Sequence, residues 1–120
     1  MADMTEAIIK VENLGDNLFI VQITGKLDES NTDAKFKEIF TAVGAGQPGT
    51  KIVFDLTNVE YMNSRSLGYL TELYSQIADT GGKMAFANAR ANILDVFQVV
   101  GLTQLINNYD SVENAKKSVS

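Results

Sequence analysis

Hydroxyl, amide and guanidinium groups converge on one short segment, Tyr61-Met62-Asn63-Ser64-Arg65-Ser66-Leu67-Gly68. It reads as the junction between a strand and the start of a helix. Asn63 or Ser64 can act as N-cap, since either side chain can accept a hydrogen bond from the free amides of a first helical turn. Those amides and the helix dipole would also accommodate a phosphoryl group on Ser64. Such a group adds about −1.5 to −2 charge to a surface without requiring the domain to unfold. That is the physics of a binding switch, although plain capping explains both residues on its own. Arg65 places a cation at the positive end of the helix dipole, at a cost of about 0.3–1 kcal/mol. It is expected to be solvated, or to answer an acidic partner or a neighbouring phosphate.

Other arrangements of reactive residues carry less. Gly44-Ala45-Gly46-Gln47-Pro48-Gly49 matches G-x-G-x-x-G by letter, but a dinucleotide fingerprint follows a strand and opens a helix. Here the pattern follows a helix and precedes a strand, and Pro48 lacks one of the amides that would cradle phosphate. It reads as a loop. Asp28 and Asp55 stand near strand ends, separated in sequence, so solvation or helix capping is expected of each. Cysteine and histidine are both absent, which removes disulfides, thiol nucleophiles, Cys/His metal sites and a Ser-His-Asp triad. No cofactor is expected and no enzymatic activity.

Composition agrees with a folded binding module. Of the 120 residues, 45% are hydrophobic and 21% charged, the profile of a globular chain. The net charge of −5, with Lys116-Lys117 the only adjacent basic pair, argues against nucleic acid and anionic membranes as partners. No apolar run approaches the roughly 20 residues that span a bilayer. Met1-Ala2-Asp3-Met4-Thr5-Glu6 lacks a signal-peptide pattern, so a cytoplasmic protein is expected.

The elements that must position Tyr61–Gly68 follow from periodicity. Ala7–Leu14 and Leu18–Thr24, around Gly15-Asp16-Asn17, read as a hairpin. Phe36, Ile39, Phe40 and Val43 recur at helical spacing, with Asp28, Ser30, Asn31 and Thr32 as candidate caps. Ile52–Leu56 reads as a buried central strand. Leu67, Leu70, Leu73, Tyr74 and Ile77 mark a second helix closed by Gly81-Gly82. Met84–Ala87 is a further strand; Ile93, Leu94, Phe97 and Val100 describe a third helix. A short strand near Gln104–Asn107 and a last helix from about Ser111, with Asp110 and Glu113 at capping-box spacing, finish the chain. The order implies an α/β fold in one domain over 1–120, a mixed sheet with helices packed on it. Right-handed crossovers make the strands at Leu18, Ile52 and Met84 parallel. Lys26–Asp28, Thr57–Ser64 and Asn88–Arg90 should then share the carboxyl-end rim, where open α/β sheets place their sites.

At this point the chain resembles a known family. Asp55-Leu56-Thr57-Asn58-Val59-Glu60-Tyr61-Met62-Asn63-Ser64, followed by Leu67-Gly68, is similar to the central signature of STAS domains, especially bacterial anti-sigma factor antagonists. Gly25-Lys26-Leu27-Asp28, Gly81-Gly82-Lys83-Met84, Val96-Phe97 and Gly101-Leu102 extend the likeness over nearly the whole chain. The resemblance implies a STAS-like mixed sheet of four to five strands with about four helices. It also implies a phosphorylation-controlled binding module acting in transcription regulation. Its partners would be an anti-sigma factor that is also a serine kinase, and a serine phosphatase that reverses the mark. Carried over without gaps, the phosphorylated Ser falls on Ser64, with Ser66 as second choice. The usual Asp falls on Asn63, a small residue on Arg65 and a Gly on Ser66. The partner-binding set expected on the rim is Asp28, Tyr61, Asn63, Ser64, Arg65, Ser66, Asn88 and Arg90. Asn63 and Arg65 motivate an alternative, a STAS adaptor in a transport or other signalling complex without a phosphoswitch.

Overall fold

The computed structural model describes residues 7–44 and 47–120. Met1–Glu6, and Ala45 and Gly46 of the Gly-rich pattern, lie outside the described residues. In chain order the elements are β1 (Ile8–Asn13), β2 (Leu18–Leu27), α1 (Thr32–Val43), β3 (Lys51–Met62), α2 (Ser64–Asp79), β4 (Lys83–Ala87), α3 (Ala91–Val99), a 3-10 turn (Leu102–Gln104), β5 (Asn108–Tyr109) and α4 (Val112–Val119). The strands form one five-stranded sheet in the order β1-β2-β3-β4-β5. β1 is antiparallel to β2, and every later pair is parallel. This is the mixed sheet with four helices that the sequence implies.

Alternation along the strands sorts the core into two layers. Val21 and Ile23 of β2, Ile52, Phe54 and Leu56 of β3, and Met84 and Phe86 of β4 point to one face. They meet Phe36 and Ile39 of α1, Leu70, Leu73 and Ile77 of α2, and Ile93 and Phe97 of α3. Ile20, Val53, Ala85 and Ala87 point to the other face and pack on Ala115 and Val119 of α4. The hairpin turn puts Gly15, Asp16 and Asn17 at positive φ of 85°, 53° and 62°, which explains why Gly, Asp and Asn stand there.

Three local expectations are corrected. The central strand does not end at Leu56; β3 runs on to Met62, pairing its extension with Thr24–Leu27 through two register shifts. Those shifts leave extra residues on β3, and such bulges bend and twist a strand. The last strand is not at Gln104–Asn107 but at Asn108–Tyr109, because the 3-10 turn first carries Leu102 and Ile106 into the core. The last helix is capped by Ser111, whose Oγ accepts from the Asn114 amide at 3.0 Å, while Asp110 accepts from the Asn114 side chain.

Candidate functional site

The extension of β3 builds the site. Beyond β4, whose last register partner is Asp55, β3 continues with β2 alone as a strand neighbour. Side chains from the start of α3 bind the carbonyls left on its free edge: Arg90 Nε donates to the Thr57 carbonyl at 3.1 Å and Asn92 Nδ2 to that of Glu60 at 3.2 Å. Asp55 shapes the first bulge by accepting from the amide and hydroxyl of Thr57, the latter at 2.6 Å. The overhang carries Tyr61, 49% exposed, and ends where the Asn63 amide donates to the Leu27 carbonyl at 3.0 Å.

Two helices start side by side at that end. In the turn that leads into α1, Asp28 Oδ1 accepts from the amide and hydroxyl of Ser30, and Asn31 ties the loop to β2 by donating to the Lys26 carbonyl. On α2, Asn63 is the N-cap, with its Oδ1 accepting from the Ser66 amide at 2.9 Å and the Ser66 hydroxyl at 2.7 Å. Thr32 bridges the helices. Its hydroxyl donates to the Asp28 carbonyl and lies 3.2 Å from Asn63 Oδ1 and 3.4 Å from Ser66 Oγ. Thr32 and Ser66 are both fully buried. Ser64, one residue past the cap, is exposed.

The positions expected to share a rim therefore separate. Asp28, Tyr61, Asn63, Ser64, Arg65 and Ser66 gather at the tip of the overhang. Asn88 and Arg90 follow β4, and Arg90 meets the β3 edge at Thr57, behind Tyr61 and Ser64 along the chain. Asn88 turns the chain at a positive φ of 60°, and Arg90 binds the β3 edge.

Arg65 finds an acidic partner within the chain. Its Nε forms a short charge-assisted hydrogen bond with Asp33 Oδ1 of α1. Tyr69 donates its hydroxyl to the same oxygen at 2.7 Å, and the Arg65 guanidinium lies 5.7 Å from the Tyr69 ring centre. That ring stacks on Phe36 and meets Phe40 edge-on. Hydrogen bonds from Arg65 and then Tyr69 hold the Asp33 carboxyl below its ordinary range, and the same bond raises the Tyr69 phenol. Sequence reasoning missed Asp33 and Tyr69. The signal available was the unbalanced cation in a first turn, which called for a carboxylate without naming it.

Among the described residues, no group of three or more Asp, Glu, His or Cys side chains could hold a metal, and no helix is long and apolar enough to cross a membrane. A concavity of about 600 Å³ opens on the α4 side of the sheet, lined by Lys10, Glu12, Gln22, Asp55 and Lys116 among others. It shares no residue with the tip of the overhang.

The described residues thus form a mixed α/β sheet whose central strand overhangs to present a capped helix start, with an exposed hydroxyl beside the cap. The chain belongs to the STAS domain family, whose model matches residues 9–115. It is similar to the anti-sigma F factor antagonist of Paenibacillus polymyxa, with 29% identity over 98 residues, covering 82% of this chain and 83% of that protein. Its fold matches the crystal structure of an anti-sigma factor antagonist from Mycobacterium paratuberculosis, with a TM-score of 0.81, 22% identity, and 99% and 98% of the two chains covered. It also matches the Bacillus cell fate determinant SpoIIAA in its phosphorylated form, with a TM-score of 0.72, 20% identity, and 92% and 98% covered. The chain is thus an anti-sigma factor antagonist-like STAS domain.

Proposed function

We propose that this chain acts as one cytoplasmic, non-enzymatic STAS domain that binds an anti-sigma factor with serine kinase activity, and that phosphorylation of Ser64 switches the binding. The observation that carries the reading is the contrast between two neighbouring hydroxyls. Ser64 is exposed at the tip of the overhang, whereas Ser66 is fully buried and bonded to Asn63. A kinase can reach the first without disturbing the fold; reaching the second requires breaking the cap. In the step itself, Ser64 Oγ attacks the terminal phosphorus of a kinase-bound nucleoside triphosphate. The Oγ–P bond forms, the bond to the diphosphate breaks, and the hydroxyl proton passes to a base on the kinase. A phosphatase reverses the mark by hydrolysis. The added charge lands on a surface that already holds Asp28 and Asp33, so a partner fitted to the neutral hydroxyl is repelled.

Ser64→Ala is expected to abolish phosphate incorporation while keeping partner binding, and Ser64→Asp to weaken binding about tenfold or more, the effect of ~1.4 kcal/mol. Purified partner, radiolabelled triphosphate and titration calorimetry measure both. Phosphate found only on Ser66, or affinity indifferent to both substitutions, would count against the switch. Co-purification with transporter subunits and no phosphopeptide under any growth condition would favour a constitutive adaptor instead.

A further inference from the structure

Ser64 and Arg65 are consecutive exposed residues in the first turn of α2. The Arg65 side chain is drawn across to α1 by Asp33, and Tyr69 shares the same carboxylate oxygen. The acid and the cation respond oppositely to new negative charge at residue 64: Arg65 is attracted and Asp33 repelled. A carboxylate carries one charge. A phosphoserine carries about −1.5 to −2 and three strong acceptor oxygens, which a guanidinium fork engages in two parallel bonds. The Asp33–Arg65 pair is also open to solvent, each side chain 64% exposed, so little holds it against a stronger local acceptor.

We propose that Arg65 is the internal hydrogen-bond donor to a phosphoryl group on Ser64, so that modification moves its guanidinium from Asp33 to the phosphate and opens the Asp33–Arg65–Tyr69 clasp between α1 and α2. This rests on reading Ser64 as the modified residue. The exchange makes the mark larger than one residue. The phosphate gains a cation, the Asp33 carboxylate loses its own, and Tyr69 is left as the remaining tie across the helix pair. A partner that had met a charge-balanced clasp then meets a carboxylate without its cation as well as the phosphate.

Phosphoserine inserted at position 64 during translation tests this without any kinase. In a 31P NMR titration, the second ionisation, ordinarily near 6, is expected to lie at least about 0.5 pH unit lower with Arg65 present than in Arg65→Ala. Asp33→Asn should lower it further, because Arg65 then has no competing carboxylate. Carbon-detected NMR of the Asp33 carboxyl should show its pKa rising toward the ordinary value when residue 64 carries phosphate. A phosphate pKa indifferent to Arg65→Ala, or an Asp33 carboxyl still held low in the modified chain, overturns the exchange. Failure to find phosphate on Ser64 in cells would sink the proposed function instead, and the two failures are read by separate measurements.

Discussion

Asn63 stands where the family signature has an acid, and its Oδ1 does the capping through the amide and hydroxyl of Ser66. An amide oxygen suffices for that, because both contacts need only an acceptor. Asn63→Ala removes the cap, worth about 1 kcal/mol, and leaves the buried Ser66 hydroxyl only its long contact with Thr32, at a cost of about 1–3 kcal/mol more. A combined loss of about 2–4 kcal/mol is expected in urea denaturation. Asn63→Asp keeps the acceptor and adds charge where the helix dipole favours it, so its stability should stay within about 0.5 kcal/mol at neutral pH. A neutral Asn63→Ala would mean that the cap does not hold the start of α2. Which serine is accessible was already legible in helical phase. At about 100° per residue, Ser66 falls in line with Leu70, Leu73 and Ile77, while Ser64 points away from them. What phase does not show is that Thr32, from 31 residues upstream of Asn63, closes over Ser66.

Between elements, the clasp ties the first turns of α1 and α2 on their exposed side. Asp33 favours the first turn of α1 by dipole, and its bond to Arg65 relieves the cation in the first turn of α2. Because the folded pKa of Asp33 lies below its unfolded value, the contribution is complete above about pH 4 and is lost as pH falls through the folded pKa. The acid limb of a denaturation series between about pH 5 and pH 2 should therefore be shallower in Asp33→Asn than in the wild-type chain. Arg65→Ala should flatten the same limb, and equal slopes in all three proteins would rule the linkage out. Nothing local in the sequence pairs Asp33 with Arg65; only the parallel β2–β3 pairing brings the two helix starts together. The reach of β3 was hidden for a related reason. Burial along Thr57–Met62 runs exposed, exposed, buried, exposed, exposed, buried, because the bulges break the two-residue alternation by which strands are recognised.

Across the whole molecule, two glycines separate what the fold requires from what it merely tolerates. A Cβ on Gly82, where α2 hands over to β4, would lie 2.0 Å from the Thr50 carbonyl oxygen and 2.8 Å from Ile77 Cγ2. Gly82→Ala should thus push the start of β3 off the end of α2, at a cost of about 2–3 kcal/mol. Gly68 is exposed within α2, and a Cβ there meets nothing within 4 Å. Gly68→Ala should stabilise by up to about 1 kcal/mol through the greater helix propensity of alanine. Thermal melts of the two variants should move in opposite directions, and a destabilised Gly68→Ala would show an unrecognised backbone constraint. By itself the sequence determined the order of strands and helices, the apolar stripes, and the helix start that carries Ser64. These follow from periodicity, caps and turn residues, which are properties of neighbours in the chain. Tertiary structure decided how far β3 overhangs, that Asn88 and Arg90 stay behind at its base, that Ser66 is sealed under Thr32, and that Arg65 belongs to Asp33. Each of those depends on strand register and helix packing between distant segments, where one bulge changes which residues meet.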